Sequence, residues 1–476
     1  MGEANIDLAG RELVTGQNHS GRLTVTDREM RLRIISFDKP FQINSQAPIF
    51  FELENGQTAT LLHCIPSSGP ERSHRYGRSI FFQNVSSDLV IFGSQPWRLE
   101  STVRSVRFRF VGSEEALFAP GIIERRYETE DSAKDAGGNS IDRTFRKDII
   151  TIDYGRTSAV RARVHGSSIH IFFGSDHSTG PLQEKVEFYP IVSIDFDTGK
   201  SIDDYIVVVS QLVALFALSI GQSSHPSEIR ISHLTTAEIE AEIEATNYQG
   251  DFQVRYVWPA TGQNDDDAWI GSAVLQVSDD RERSATAECL ATWLNRGMDW
   301  RMAYRLMNEA MRKRGRIDRD RLLTAFGWFE AIPVEQYAPE FSTSDVASIT
   351  EAAVGAARQL NPAVDASRIG SLIKMLGDES MAQRLRRIIP TLRAKFGDRL
   401  VPLRLEQDCV RAVRIRGTLA HGRSMNDDEA SFQDFLRSIY AMECAAFLLT
   451  IRDLPLSDDA PARISGHPLM NYRFLT

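Results

Sequence analysis

The residue types best suited to chemistry in this chain lie in the segment Arg411-Ala-Val-Arg414-Ile-Arg416-Gly417-Thr418-Leu419-Ala420-His421-Gly422, where Arg416 and His421 are separated by four residues. An imidazole, with an ordinary pKa of about 6.5, can take and return a proton at neutral pH. A guanidinium can grip a phosphate through paired N–H bonds and offset charge that grows on it during a reaction. The pair suits proton transfer at a phosphodiester, and that chemistry requires no metal and no cofactor.

Spacing alone does not single out these two residues, because Arg163 and His170 are comparably spaced. That second pair sits in a strand-like, glycine-containing stretch, RVHGSSIH. Arg416 instead follows an amphipathic run in which Leu405, Cys409, Val413, Gly417 and Ala420 form one apolar stripe at steps of three and four. Gly417 is expected to let a packing partner approach closely. After His421 come an acidic loop, Asn426 to Asp428, and a last apolar helix marked by Phe432, Phe435, Leu436, Ile439, Met442, Ala446 and Leu449. Arg414 and His421 share a face of an ideal helix, whereas Arg416 and His421 diverge by about 140 degrees. Convergence therefore requires a distorted last turn at Gly422 or the equivalent residues of a second subunit. The plainer alternative is a surface arginine beside a histidine favoured by the helix dipole.

The elements that must position this segment follow from composition and pattern. The chain has 476 residues, 42% hydrophobic and 25% charged, an ordinary globular balance compatible with two or three domains. Its net charge of -9 excludes a wholly basic nucleic-acid binder. Between Arg384 and Arg423, however, eleven basic residues stand against three acidic ones. Within this run Arg404, Arg411, Arg414 and Arg423 are candidates to track RNA phosphates, with a solvated helix face as the alternative reading. The cysteines, Cys64, Cys289, Cys409 and Cys444, lie far apart with no metal or disulfide spacing, which fits a reducing, cytoplasmic location. His63 beside Cys64, with His74 beyond, reads as packed or exposed loop histidine rather than a metal cluster. No signal-peptide pattern opens the chain, and the longest apolar run, Tyr205 to Ile220, reads as a buried core helix rather than a membrane span.

The fold class expected is α+β. Residues 1–235 are β-rich, with strand-like runs such as Pro48 to Leu53, Leu89 to Phe92, Val106 to Val111 and Val186 to Phe196. Residues 236–283 read as a connector, 284–455 as an all-α domain and 456–476 as a tail. Helices are expected near 285–313, 319–331, 343–359, 379–396, 402–421 and 429–452.

The whole arrangement resembles the ApeA-type anti-phage proteins, in which an ApeA-like N-terminal domain precedes an ApeA-like HEPN domain. Over the first 235 residues the resemblance rests on the strand-rich run with LLHC (Leu61 to Cys64) and VIFG (Val90 to Gly93). Over residues 285–455 it rests on RGTLAHG and on WFEAI (Trp328 to Ile332). It implies a helical-bundle HEPN ribonuclease with Arg416 and His421 catalytic; Glu330 is a candidate to support them, with a solvent-facing glutamate on an amphipathic helix as the alternative. It further implies RNA cleavage, with tRNA as substrate, to 2′,3′-cyclic phosphate and 5′-hydroxyl ends. A homodimer through the HEPN domain, a phage-derived activator at the N-terminal domain, and abortive infection follow from the same resemblance. A second reading, a non-catalytic dimeric scaffold or RNA-binding module, is favoured by Gly417, which stands where a polar residue usually follows the motif arginine.

Overall fold

A computed structural model describes residues 5–475 apart from 14–18, 27–28, 38, 46, 76–77, 99, 112–122, 131–132, 135–139, 142–144, 153–159, 165, 180–183, 247, 249, 257–272, 336–340, 362, 364, 375–378 and 421–428. Sheet dominates the first half of the chain and helix the second, so the protein is α+β.

The strands are β1 (Ile6–Glu12), β2 (Ser20–Val25), β3 (Met30–Phe37), β4 (Ile49–Leu53), β5 (Thr58–Leu62), β6 (Ile65–Pro66), β7 (Glu71–Arg75), β8 (Arg78–Ser87), β9 (Leu89–Gly93), β10 (Val103–Val111), β11 (Ile123–Glu130), β12 (Ala133–Lys134), β13 (Ser140–Ile141), β14 (Phe145–Ile152), β15 (Val160–Val164), β16 (Ser167–Thr179), β17 (Glu184–Lys200), β18 (His225–Ser232) and β19 (Phe252–Tyr256). Fifteen of them join in one hydrogen-bonded path, β15-β16-β17-β10-β18-β19-β9-β5-β4-β1-β2-β3-β8-β6, with β7 beside β8. In β3, Met30, Leu32, Ile34 and Ser36 point inward while Arg31, Arg33 and Phe37 are exposed, the alternation that makes one face core. Every residue of β5 and β9 is buried, which places these strands under cover on both faces. Gly10 and Gly21 are cross-strand partners in β1 and β2. A Cβ on Gly10 would lie 2.2 Å from the Glu52 carbonyl oxygen and 2.6 Å from the ring of the fully buried Phe51. The aromatic ring occupies the space that these glycines leave.

Helix α1 (Ile202–Ile220) is capped by Ser201, whose hydroxyl accepts from the Asp204 amide, and ends at Gly221 in the left-handed region. It is long and apolar enough to cross a membrane by length and composition, yet 61% of its apolar window is buried within the protein. Phe216 packs on Phe110 of β10 with ring centroids 4.5 Å apart. Helix α2 (Thr236–Glu244) starts in a full capping box between Thr235 and Glu238.

The sheet-bearing compact unit is Met1–Arg296 with Leu454–Ala460. It takes in β19, which pairs with β18 and β9 although it lies inside the stretch read as connector. It also takes in α3 (Asp280–Asn295), which the sequence pattern assigned to the helical part. The reason is burial: Cys289, Leu290 and Trp293 are fully buried, and the Trp293 indole donates to the Gln211 carbonyl of α1 at 2.8 Å.

The second unit is Gly297–Asp453 with Pro461–Thr476. It contains α4 (Arg301–Lys313), α5 (Arg319–Ala331), α6 (Thr343–Leu360), α7 (Ala366–Lys374), α8 (Met381–Phe396), α9 (Arg404–Ala420), α10 (Glu429–Ile451) and all but the first residue of α11 (Ala460–Gly466). The single helix expected over 285–313 is two, because Gly297 adopts φ +70 and a short 3-10 turn, Met298–Trp300, intervenes. The nine-residue α7 was not anticipated. At the centre stands α10, with Ile439 to Met442 and Cys444 to Leu449 buried apart from Tyr440 and packed by α5, α9 and the 3-10 segment Pro468–Leu475.

Candidate functional site

Helix α9 is anchored at its start and opens toward its end. Leu405, Cys409 and Ala412 are fully buried, whereas Val413 and Gly417, on the same stripe, are only half-buried. A Cβ built on Gly417 would meet nothing within 4 Å. This corrects the expectation that Gly417 admits a close neighbour: among the described residues nothing packs beside it.

Arg416 emerges where the stripe opens and meets Glu330 of α5. Its guanidinium donates to both carboxylate oxygens, Nη1 to Oε1 and Nη2 to Oε2 at 3.4 Å, and its Cζ lies 5.0 Å from the ring centroid of Phe326. Phe326 and Glu330 are four residues apart on α5, so they occupy one face and hold the cation from below and from the side. The two charged side chains remain 33% and 38% exposed. At that exposure such a pair adds under about 1 kcal/mol to stability. What it supplies is direction for the guanidinium, which keeps further N–H groups available to an anion.

The other sequence-selected residues fare differently. Arg411 is held by Asp434 at 2.7 Å and faces Asp408 at 4.0 Å. Arg404 and Arg414 are exposed, and neither has an ion pair among the described residues. His421 and Arg423 lie outside the described residues. Much of the basic run is consumed by tertiary structure: Arg387 pairs with Glu379 at 2.7 Å, Arg393 donates to the Val401 carbonyl, and Lys395 to the Arg452 carbonyl. Arg384 donates to the carbonyls of Ile332 at 2.8 Å and Phe329 at 3.4 Å, on either side of Glu330 in the chain. Sequence reasoning missed both Phe326 and Arg384. Phe326 carried a usable signal, since it stands one helical turn before Glu330.

Beneath the site, two buried polar contacts fix the helices. Arg321 of α5 meets Glu443 of α10 in a bidentate pair at 2.6 and 2.8 Å, with both side chains only 2% exposed. Burial works against the Arg321 charge, but the Glu443 carboxylate outweighs it and the pKa is raised. The remaining Arg321 donor serves the carbonyls of Arg314 and Arg316 at 2.6 and 2.9 Å. Tyr472 donates to the buried Asp408 of α9 at 2.7 Å, tying the C-terminal segment to the helix that carries Arg416.

Elsewhere, His63 bonds Asp88 at 2.8 Å from a left-handed backbone conformation, and Cys64 beside it is buried. Arg163 and His170 lie on β15 and β16, where Arg163 pairs with Asp197 at 2.7 Å. That pair is sheet furniture, as its strand context suggested.

No curated protein and no solved structure matches the chain. Residues 20–266, which span nearly all of the sheet, match the family described as ApeA N-terminal domain 1. The chain belongs to that family, and with it to the ApeA-like anti-phage defence proteins.

Proposed function

We propose that the protein is a metal-independent HEPN-type endoribonuclease that acts in the cytoplasm by abortive infection, with tRNA as its substrate class. The observation that carries this reading is the grip of Glu330 and Phe326 on Arg416, five residues before His421 on a basic, partly open helix. In the proposed reaction His421 takes the proton of a ribose 2′-hydroxyl. The 2′-oxygen bonds to phosphorus, the bond to the 5′-oxygen breaks, and that oxygen leaves with a proton as a 5′-hydroxyl beside a 2′,3′-cyclic phosphate. Arg416 offsets the charge on the phosphorane while Glu330 orients it. Arg404, Arg411, Arg414 and Arg423 are assigned to the flanking phosphates. A second copy of the chain completes the site, a view supported by the exposed Phe432 and half-buried Phe435 and Leu436 at the start of α10. The sheet-rich half is assigned the recognition of a phage-derived activator.

The test is purified full-length protein incubated with total tRNA in EDTA, beside His421→Ala and Arg416→Gln. Loss of roughly a hundredfold or more in cleavage rate is expected for each. Equal degradation by wild type and His421→Ala overturns the assignment. A non-catalytic scaffold or RNA-binding module is the second reading, favoured by the absence of a polar side chain at Gly417; its mark is RNA binding without cleavage.

A further inference from the structure

The last turn of α5 presents an electrostatic difficulty. The helix ends at Ala331, Ile332 turns extended, and no basic residue lies in the final turn. Glu330 therefore sits at the negative end of a helix dipole, where a carboxylate is disfavoured and the last carbonyls lack intrahelical donors. The cation that answers both problems comes from α8. One Nη2 of Arg384 reaches the carbonyls of Ile332 and Phe329, and its Cζ lies 5.6 Å from the Phe329 ring centroid. Burial draws the Arg384 pKa down, opposed by the carboxylates of Glu379 and Glu330, so Glu330 lies within the field of a second guanidinium besides Arg416.

We propose that Arg384 is a positioning residue for the Arg416 site: by closing the C-terminal end of α5 it fixes the Glu330 carboxylate in the place from which it grips Arg416. Three helices thus act in series, α8 through Arg384 on α5, and α5 through Glu330 on α9. The proposal deepens the reading of Arg416 as the phosphate-gripping cation and rests on it. Arg384 itself is turned to backbone carbonyls and contributes no contact to the substrate.

A double-mutant cycle tests this in the full-length protein, using Arg384→Gln, Glu330→Gln and the pair together. Arg384→Gln is expected to lower kcat/KM for tRNA roughly tenfold, the scale of a small misplacement of a catalytic group. In the Glu330→Gln background the same change should alter kcat/KM by less than about twofold, because the intermediary is already gone. A purely structural cap would subtract equally in both backgrounds, and that result overturns the proposal. Should Arg384→Gln not fold, Arg384→Lys replaces it, since an ammonium keeps the charge but loses the fixed fork.

Denaturant unfolding separates this proposal from the nuclease reading. Arg384→Lys and Arg416→Gln should be coupled by about threefold or more in the unfolding constant when Glu330 is present, and uncoupled in Glu330→Gln. Coupling in a protein that cleaves no RNA sinks the nuclease and leaves the positioning role standing. Absence of coupling overturns the positioning role whatever the activity.

Discussion

Arg321 and Glu443 join α5 to α10 through a bidentate ion pair with both side chains 2% exposed, out of reach of solvent. Charges this deep are costly to strand, because the survivor keeps its desolvation penalty and loses its partner. Glu443→Ala is expected to destabilise the helical unit by about 3–5 kcal/mol. The double replacement Arg321→Met with Glu443→Leu should lose much less. Urea unfolding of the three proteins checks this, and a Glu443→Ala loss under about 1 kcal/mol contradicts it.

Two glycines are expected to respond in opposite directions. At Gly10 a methyl group would meet the Glu52 carbonyl oxygen at 2.2 Å and the Phe51 ring at 2.6 Å, so Gly10→Ala should cost about 1–3 kcal/mol. Gly417 lies within α9 with no atom of the described residues within 4 Å of a Cβ, so Gly417→Ala should stabilise by about 0.5–1 kcal/mol through helix propensity. Denaturation midpoints for the two variants decide both signs.

Burial pushes the thiols of Cys64, Cys289 and Cys444 up to about 12, and Cys409 is also raised well above the ordinary value. A raised folded pKa means that the native state holds its proton more tightly than the unfolded chain does. The associated stability is complete below the unfolded value of about 8.5 and is lost as pH climbs from there toward about 12. Unfolding free energy should therefore fall above pH 8.5, by up to about 1.4 kcal/mol per pH unit for each thiol. Native protein at pH 8 should resist iodoacetamide, whereas guanidinium-unfolded protein should react at all four cysteines.

The arginines of α9 should differ in their contribution to RNA affinity. Arg414 is exposed without an ion pair among the described residues, while Arg411 is engaged by Asp434 at 2.7 Å. Arg414→Gln should reduce the slope of log affinity against log salt by roughly 0.7–0.9, the value for one phosphate contact. Arg411→Gln should change it less, because a phosphate must first displace Asp434. Fluorescence anisotropy with labelled tRNA across a salt series measures both, and a larger effect at Arg411 reverses the ranking.

The sequence by itself determined the α+β division, most helices and some of the strands, since alternation in Val106 to Val111 of β10 and the stripe through Leu405, Cys409 and Val413 are local periodicities. It also singled out Arg416 and Glu330, though not their contact across 86 positions of chain. Only tertiary structure decided where the charges of the basic run end up. Arg384, Arg387, Arg393 and Arg411 look alike as letters, yet Arg384 and Arg411 are claimed by a carbonyl and a carboxylate far along the chain, and Arg387 and Arg393 by groups in the loops that flank α8. Likewise β19 and α3 joined the sheet unit because partners far away in sequence bury them, and Gly417 has no packing neighbour among the described residues. Periodicity is written in neighbouring residues, whereas pairing and burial depend on which distant segments meet, and that is settled by the packing free energy of the whole fold.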